Sequence, residues 1–158
     1  MVSYLGHQID ESGLHPLPHK VKAIREAPTP NNITELKSYL GLLAYYRKFL
    51  PNLSTHLPLL YQLLKHGSEW KWSTEHEETF QKSKGMLTSS SLLIHFDLKL
   101  PILLQCDASQ YGIGAVLAHC LPGGSEKPVG FASRTLNSAK QNYSQLEKEG
   151  LACTIGVK

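Results

Sequence analysis

What this chain lacks narrows its class before any motif is weighed. No stretch approaches the roughly 18 consecutive apolar residues that a membrane-spanning helix needs, so no span is expected. The opening MVSYLGHQIDESG has no basic start followed by an apolar core, so it does not read as a secretory signal. Cysteine is sparse: Cys106, Cys120 and Cys153 are odd in number, far apart and set among apolar residues. They read as reduced core residues of an intracellular protein rather than a disulfide framework. No Cys/His spacing fits a zinc site, and the eight histidines stand singly. There is no G-x-x-x-x-G-K phosphate loop, and no Ser-His-Asp or Cys-His arrangement stands out. Gly112 and Gly114 do not open a dinucleotide loop, because position 117 is Leu117 and a strand pattern follows. They read as small residues at a hairpin where a side chain would block close backbone approach. Internal repeats and low-complexity tracts are absent.

What remains is an ordinary globular composition. The chain has 158 residues, 41% of them hydrophobic, enough for one domain or two small ones. Its net charge of +3 is unevenly placed. Residues 1–72 carry eight Lys/Arg against five Asp/Glu, whereas residues 73–158 carry eight against eight. The excess in the first half suits a nucleic-acid backbone as partner.

The first half reads as helical. YLGHQIDESGLHPLP is a strand or hairpin that enters from upstream, with a turn at Glu11–Gly13. PHKVKAIREA begins with Pro18 in a first helical turn and ends before Pro28. Asn32 and Glu35 form a capping-box pair ahead of Leu36, Tyr39, Leu40, Leu43 and Leu50, an apolar stripe that stops at Pro51–Asn52. A third helix is expected around His56–Lys65, closed by His66–Gly67. Thr74 and Glu77 announce another capped helix to about Leu87, followed by the linker-like TSSSLL. The pattern then shifts towards period 2, with strands expected at 101–107, 112–120 and 128–134. A last helix runs from about Ser138 to the end. Its expected apolar stripe is Tyr143, Leu146, Gly150, Cys153 and Val157.

Two sets of carboxylates could carry chemistry. Asp107 ends the first strand of the second half and shares a face with Leu103 and Gln105. It serves either as an Asx-turn cap for the DAS sequence or as a metal ligand. Glu147 and Glu149 both lie on the last helix, and periodicity does not choose between them. One acid at a strand end and one on a packed helix can hold a divalent ion, and hard oxygen ligands suit magnesium.

Taken in order, YLGHQID, ELKSYLGLLAYYRKFLPNLS, WKWSTEHEETF, LLQCDASQYGIGAVLAH and NYSQLEKEGLA resemble Gypsy-type LTR-retrotransposon reverse transcriptases. The resemblance implies that residues 1–72 are the palm end and a thumb-like helical segment. It implies that residues 73–158 are a connection and the N-terminal part of a ribonuclease H-like domain. The implied fold is α+β: three thumb-like helices, then a three-stranded antiparallel sheet with the last helix packed on one face. By the resemblance, Asp107 matches the first catalytic carboxylate, and Glu149, through E-G-L-A, matches the second. Both would bind Mg2+ and help activate a water that cleaves the RNA strand of an RNA–DNA hybrid. Arg134 in FASRTL, and Arg47 and Lys48 in YYRKFLPN, are the corresponding candidates for contact with the nucleic-acid backbone.

Departures from the family qualify this reading. The family's polymerase fingers and palm lie upstream of Met1, and two further catalytic acids lie downstream of Lys158. Gly150 stands for a large apolar residue and Gly156 for an alanine, which should loosen the helix carrying Glu149. The alternative is a non-catalytic remnant of a retroelement that at most binds nucleic acid.

Overall fold

The computed structural model describes residues 1–65, 67–88 and 93–157, with backbone alone at 87 and 88. His66, the serines at 89–91 and Lys158, where a helix closure, a linker and a helix end were expected, lie outside the described residues.

Three short strands open the chain. β1 (Val2–Tyr4), β2 (His7–Asp10) and β3 (Gly13–Pro16) pair antiparallel in that order. The turn falls where the sequence placed it, because Asp10 Oδ1 accepts the Ser12 and Gly13 N–H groups at 2.9 and 3.1 Å. Gly13 has a φ of +147°, and a side chain there would run into the Leu93 carbonyl. That carbonyl instead takes the Leu14 N–H at 2.8 Å, tying the small sheet to the later chain.

The helices start where capping chemistry dictates and stop where packing dictates. α1 (Pro18–Arg25) begins with its proline, whose missing N–H is no loss in a first turn. α2 (Ile33–Tyr45) is capped by Asn32, whose side chain accepts the Glu35 N–H at 2.9 Å. Leu36, Tyr39, Leu40 and Leu43 are buried as expected. The helix does not reach Leu50. A 3-10 turn at Arg47–Phe49 follows, drawing both Tyr46 and Phe49 into the core. The expected third helix is two short ones, α3 (Leu53–His56) and α4 (Pro58–Gln62), because Pro58 cannot continue a helix but can start one. α5 (Thr74–Thr88) lacks the expected Thr74–Glu77 box. The cap is one residue earlier: the Ser73 N–H donates to His76 Nδ1 at 3.1 Å. Glu77 instead accepts from the Trp72 indole at 2.9 Å and from Thr29 at 3.2 Å, binding α5 to the loop after α1. Leucines from α2, α3 and α4 close around Tyr39, Phe49 and Phe80, and each fully buried side chain stabilises by about 1.5–3 kcal/mol.

The second sheet orders β4 (Ile102–Ala108), β5 (Gly112–Cys120) and β6 (Glu126–Thr135) as three antiparallel strands, within two residues of the expected spans. The last helix is interrupted. α6 (Ser138–Gln141) ends, and Ser144 caps a separate α7 (Gln145–Gly156) through a full capping box with Glu147. α7 packs on one face of the sheet. Its buried side is not the expected stripe: Lys148 and Ala152 are buried with Leu151 and Ile155 beside them, while Leu146 is 79% and Val157 78% exposed. α7 starts at Gln145, seven residues after Ser138, the start the sequence pattern had set. All three cysteines are free, but they are not core residues; Cys106 and Cys120 are half-buried and Cys153 is exposed.

α3 and the residues before it cover the opposite face of the sheet. Ser54 Oγ donates to the Ile113 carbonyl and the Ser54 N–H to Ser133 Oγ, both at 3.4 Å. This contact explains the two glycines of β5. A Cβ at Gly112 would meet Ser54 at 2.9–3.2 Å, and one at Gly114 would fall onto Asn52 Oδ1. The glycines therefore admit the helical segment rather than merely narrowing a hairpin.

Candidate active site and nucleic-acid cleft

Asp107 is the penultimate residue of β4, an outer strand, and its carboxylate is exposed. It pairs across the sheet with Gly114. Its turn-capping alternative is taken by another residue. Ser109 closes the β4–β5 turn, its Oγ accepting the Gly112 N–H at 3.0 Å. Among the described residues, Asp107 Oδ1 accepts only from the adjacent Ala108 N–H, at 2.9 Å. The carboxylate thus faces a hollow of about 370 Å³ that Pro51, Asn52, Gln105, Gly114 and Phe131 also line.

The two glutamates of the last helix differ in their hydrogen bonds. Glu147 is consumed by the start of α7: its Oε2 accepts the Ser144 N–H and hydroxyl, each at 2.8 Å. Those bonds, the hydroxyl's first, hold its carboxyl below the usual range. Glu149 has no such duty. Its Oε1 accepts from Gln145 Nε2 at 3.1 Å, and the same amide donates to the Ala108 carbonyl at 3.1 Å. One amide therefore joins Glu149 to the residue after Asp107.

A column on α7 fixes the level of Glu149. Gln145, Glu149 and Cys153 are spaced four apart and lie on one flank of the helix. The first is bonded at Ala108, and the third lies near enough to Cys106 to raise its thiol pKa. Glu149 sits between them on the α7 side of the sheet, whereas Asp107 shares the opposite face with Gln105 and Gly114. Sequence reasoning did not single out Gln145. Its signal was available in the i, i+4 spacing to Glu149 immediately after the Ser144 cap.

The donor set at this corner is hard oxygen, which suits magnesium. Among the described residues no group of three or more His, Cys, Asp or Glu side chains is placed to hold a metal ion.

The three candidate basic residues converge although 87 residues separate Arg47 from Arg134 in the chain. Arg47, Lys48 and Arg134 line one cleft of about 660 Å³ with His7, Tyr45 and Phe131. Arg47 and Arg134 are exposed, and Lys48 is half-buried with its ammonium 5.6 Å from the Phe49 ring. Burial draws the Lys48 ammonium below its ordinary pKa. His7 stacks between Tyr45 and Phe49 at 5.4 and 5.7 Å. Its Nδ1 donates to the Leu5 carbonyl at 2.7 Å, while Nε2 is buried without a partner. Burial first, then the Lys48 charge, pull the His7 pKa down, so the ring is neutral near pH 7. Phe131 lines both this cleft and the Asp107 hollow, so cationic and acidic features adjoin. Sequence reasoning found the cations but missed His7, Tyr45 and Phe131 as their setting.

Residues 72–158 match the family model described as the RNase H-like domain found in reverse transcriptase. The Transposon Tf2-3 and Tf2-4 polyproteins of Schizosaccharomyces pombe (strain 972 / ATCC 24843) are each 35% identical over 157 residues, 99% of this chain. The chain spans 12% of the length of those polyproteins. Among solved structures, the foamy viral protease-reverse transcriptase dRH in complex with double-stranded DNA superposes with a TM-score of 0.82 at 26% identity, over 99% of this chain and 27% of that one. The foamy viral protease-reverse transcriptase in complex with RNA/DNA hybrid gives 0.81 at 26% identity, over 99% and 21%. No helix among the described residues is long and apolar enough to cross a membrane. The ordered motifs, the helices-then-sheet architecture and these likenesses agree, and the chain belongs to the Gypsy-type LTR-retrotransposon reverse transcriptases, with an RNase H-like domain in its second half.

Proposed function

We propose that this chain serves a retrotransposon polyprotein that copies RNA into DNA and removes the RNA strand of the resulting hybrid. In that reading Asp107 and Glu149 are the first two carboxylates of a magnesium-dependent ribonuclease H site. The single observation that carries it is the Gln145 amide, bonded at 3.1 Å to both Glu149 and the strand end beside Asp107. When bound, magnesium lowers the pKa of a coordinated water and neutralises charge on the scissile phosphate. The chain's own residues do the rest. Asp107 and Glu149 supply hard oxygens from two rigid elements, and Gln145 holds Glu149 in orientation. Arg47, Lys48 and Arg134 hold the sugar–phosphate backbone in the cleft next to the Asp107 hollow. Polymerisation belongs to the wider polyprotein, of which this chain spans a small share.

The test uses a labelled RNA–DNA hybrid with magnesium, offered to the chain alone and to a polyprotein reverse transcriptase containing it. Cleavage by the polyprotein that is lost on Asp107→Asn and on Glu149→Gln supports the reading. Undiminished cleavage in either variant overturns it. The second reading, hybrid binding without cleavage, is favoured for the chain alone, since among its described residues no group of three or more His, Cys, Asp or Glu side chains is placed to hold a metal ion. It is met when the isolated chain binds hybrid with steep salt dependence but leaves the RNA intact.

A further inference from the structure

The two thiols at the β4–α7 seam have no part in the chemistry above. Their placement follows from the register of helix on strand. At one end of the seam, Gly156 lies so close to the sheet that a Cβ there would come within 3.0–3.2 Å of Leu104 and Ala115. At the other end, Gln145 reaches the Ala108 carbonyl at 3.1 Å. α7 thus runs antiparallel to β4, matching Gly156 to Leu104 and Gln145 to Ala108. Cys106 is the residue midway between Leu104 and Ala108 on the α7-facing side of the strand. Cys153 is three residues before Gly156, hence its neighbour on the helix surface, and it lies on the flank that follows β4. The packed positions here include Gly156, Ala115 and Ala152, which let the two elements approach closely. Both cysteines are free thiols.

We propose that Cys106 and Cys153 form a reversible disulfide that locks α7 onto β4 under oxidising conditions. The oxidant is a peroxide. Cys153 is the exposed member and is reached first; its thiolate sulfur attacks the peroxide O–O bond, giving the sulfenic acid and one water. The Cys106 sulfur then attacks the Cys153 sulfur, the S–O bond breaks, and the Cys106 proton leaves with the hydroxide as a second water. Two thiols and one hydrogen peroxide thus yield one disulfide and two waters. A thiol reductant returns the pair. The third thiol, Cys120, lies at the far end of β5 opposite Glu126 and is no competitor.

The lock bears on the candidate site because Cys106 immediately precedes Asp107 and Cys153 follows Glu149 by one turn. The chemistry can nonetheless be tested without any assumption about catalysis. The purified chain is treated with hydrogen peroxide at low protein concentration, alkylated and digested, and its peptides are mapped by mass with and without reductant. The expected product is one intramolecular peptide pair joining Cys106 to Cys153, two hydrogens lighter than the separate peptides. It forms equally in Cys120→Ser, is absent in Cys153→Ala and disappears on reduction. Cys153 is exposed, so Cys153→Ala leaves the fold in place, which far-ultraviolet circular dichroism checks. Over-oxidation of Cys153 to sulfinic or sulfonic acid without a link overturns the proposal. So does a link through Cys120, or one formed only between chains.

Discussion

Gln145 and Glu149 stand one turn apart on α7 and share a hydrogen bond of 3.1 Å whose donor also holds the Ala108 carbonyl. The amide thus spans helix and strand at the residue after Asp107. Gln145→Ala should loosen Glu149 without unfolding α7, since alanine is a good helix former. Magnesium affinity of the polyprotein enzyme should fall by roughly 10- to 100-fold, the usual loss when a residue that orients a metal ligand is removed. Titration of the divalent-ion dependence of hybrid cleavage measures this. An unchanged magnesium midpoint counts against the positioning role.

The cleft makes a separate, electrostatic prediction. Arg47→Ala, Lys48→Ala and Arg134→Ala should each weaken hybrid binding and lower the slope of log K against log salt by about 1. Lys127→Ala, on an exposed position of β6 outside the cleft, should change neither. Fluorescence anisotropy with a labelled hybrid at several salt concentrations separates the outcomes.

The two glycines of α7 should behave differently. Gly150 has open space around its Cα, so Gly150→Ala should stabilise the chain by about 1 kcal/mol through helix propensity alone. Gly156→Ala should give no such gain, because its Cβ would press on Leu104 and Ala115 at 3.0–3.2 Å and offset it. Urea unfolding midpoints compare them directly. Equal stabilisation by both would mean that α7 does not sit as close to the sheet as described.

Asp10 sets an acid limit on the first sheet. The Ser12 hydroxyl, His15 and the Ser12 N–H together hold its pKa down to about 2 from 3.8. A depressed carboxyl contributes stability above the unfolded value and loses it as the pH falls through the folded one. The β2–β3 turn should therefore be intact above about pH 4 and loosen between pH 4 and 2. Amide exchange at Ser12 and Gly13 follows this, and Asp10→Asn should leave the turn's exchange insensitive to pH across that window.

The features read correctly from sequence are those set by chemistry within a few residues. Asn32 and Glu35 announce a helix start, and alternation along 102–108 announces a strand. Helix ends were less legible, because tertiary packing sets them. Nothing local to Tyr46 says that it and Phe49 turn into the core, which is what ends α2 at Tyr45. The cap at Ser144 was not read from the sequence, which ran one helix on from about Ser138, and the stripe it expected is not the face that α7 buries.

The site was legible in a different way. Asp107 and Glu149 were singled out by motif, and no periodicity could tell Glu149 from Glu147. In the structure their bonds differ: Glu147 caps α7, and Glu149 accepts from Gln145. Convergence of Arg47 and Arg134 depends on α3 docking against the sheet, a contact between residues about 60–80 positions apart that local sequence does not encode.

That docking has a consequence for how the chain can change over generations. The missing side chains of Gly112 and Gly114 are the space that Ser54 and Asn52 occupy, so the two stretches form a mortise and tenon. A methyl gained at position 114 demands a shorter residue at position 52, and a larger residue at 54 demands that position 112 stay bare. Substitutions in relatives should therefore arrive in pairs across this joint, linking the helical half to the sheet half even where each half tolerates change alone.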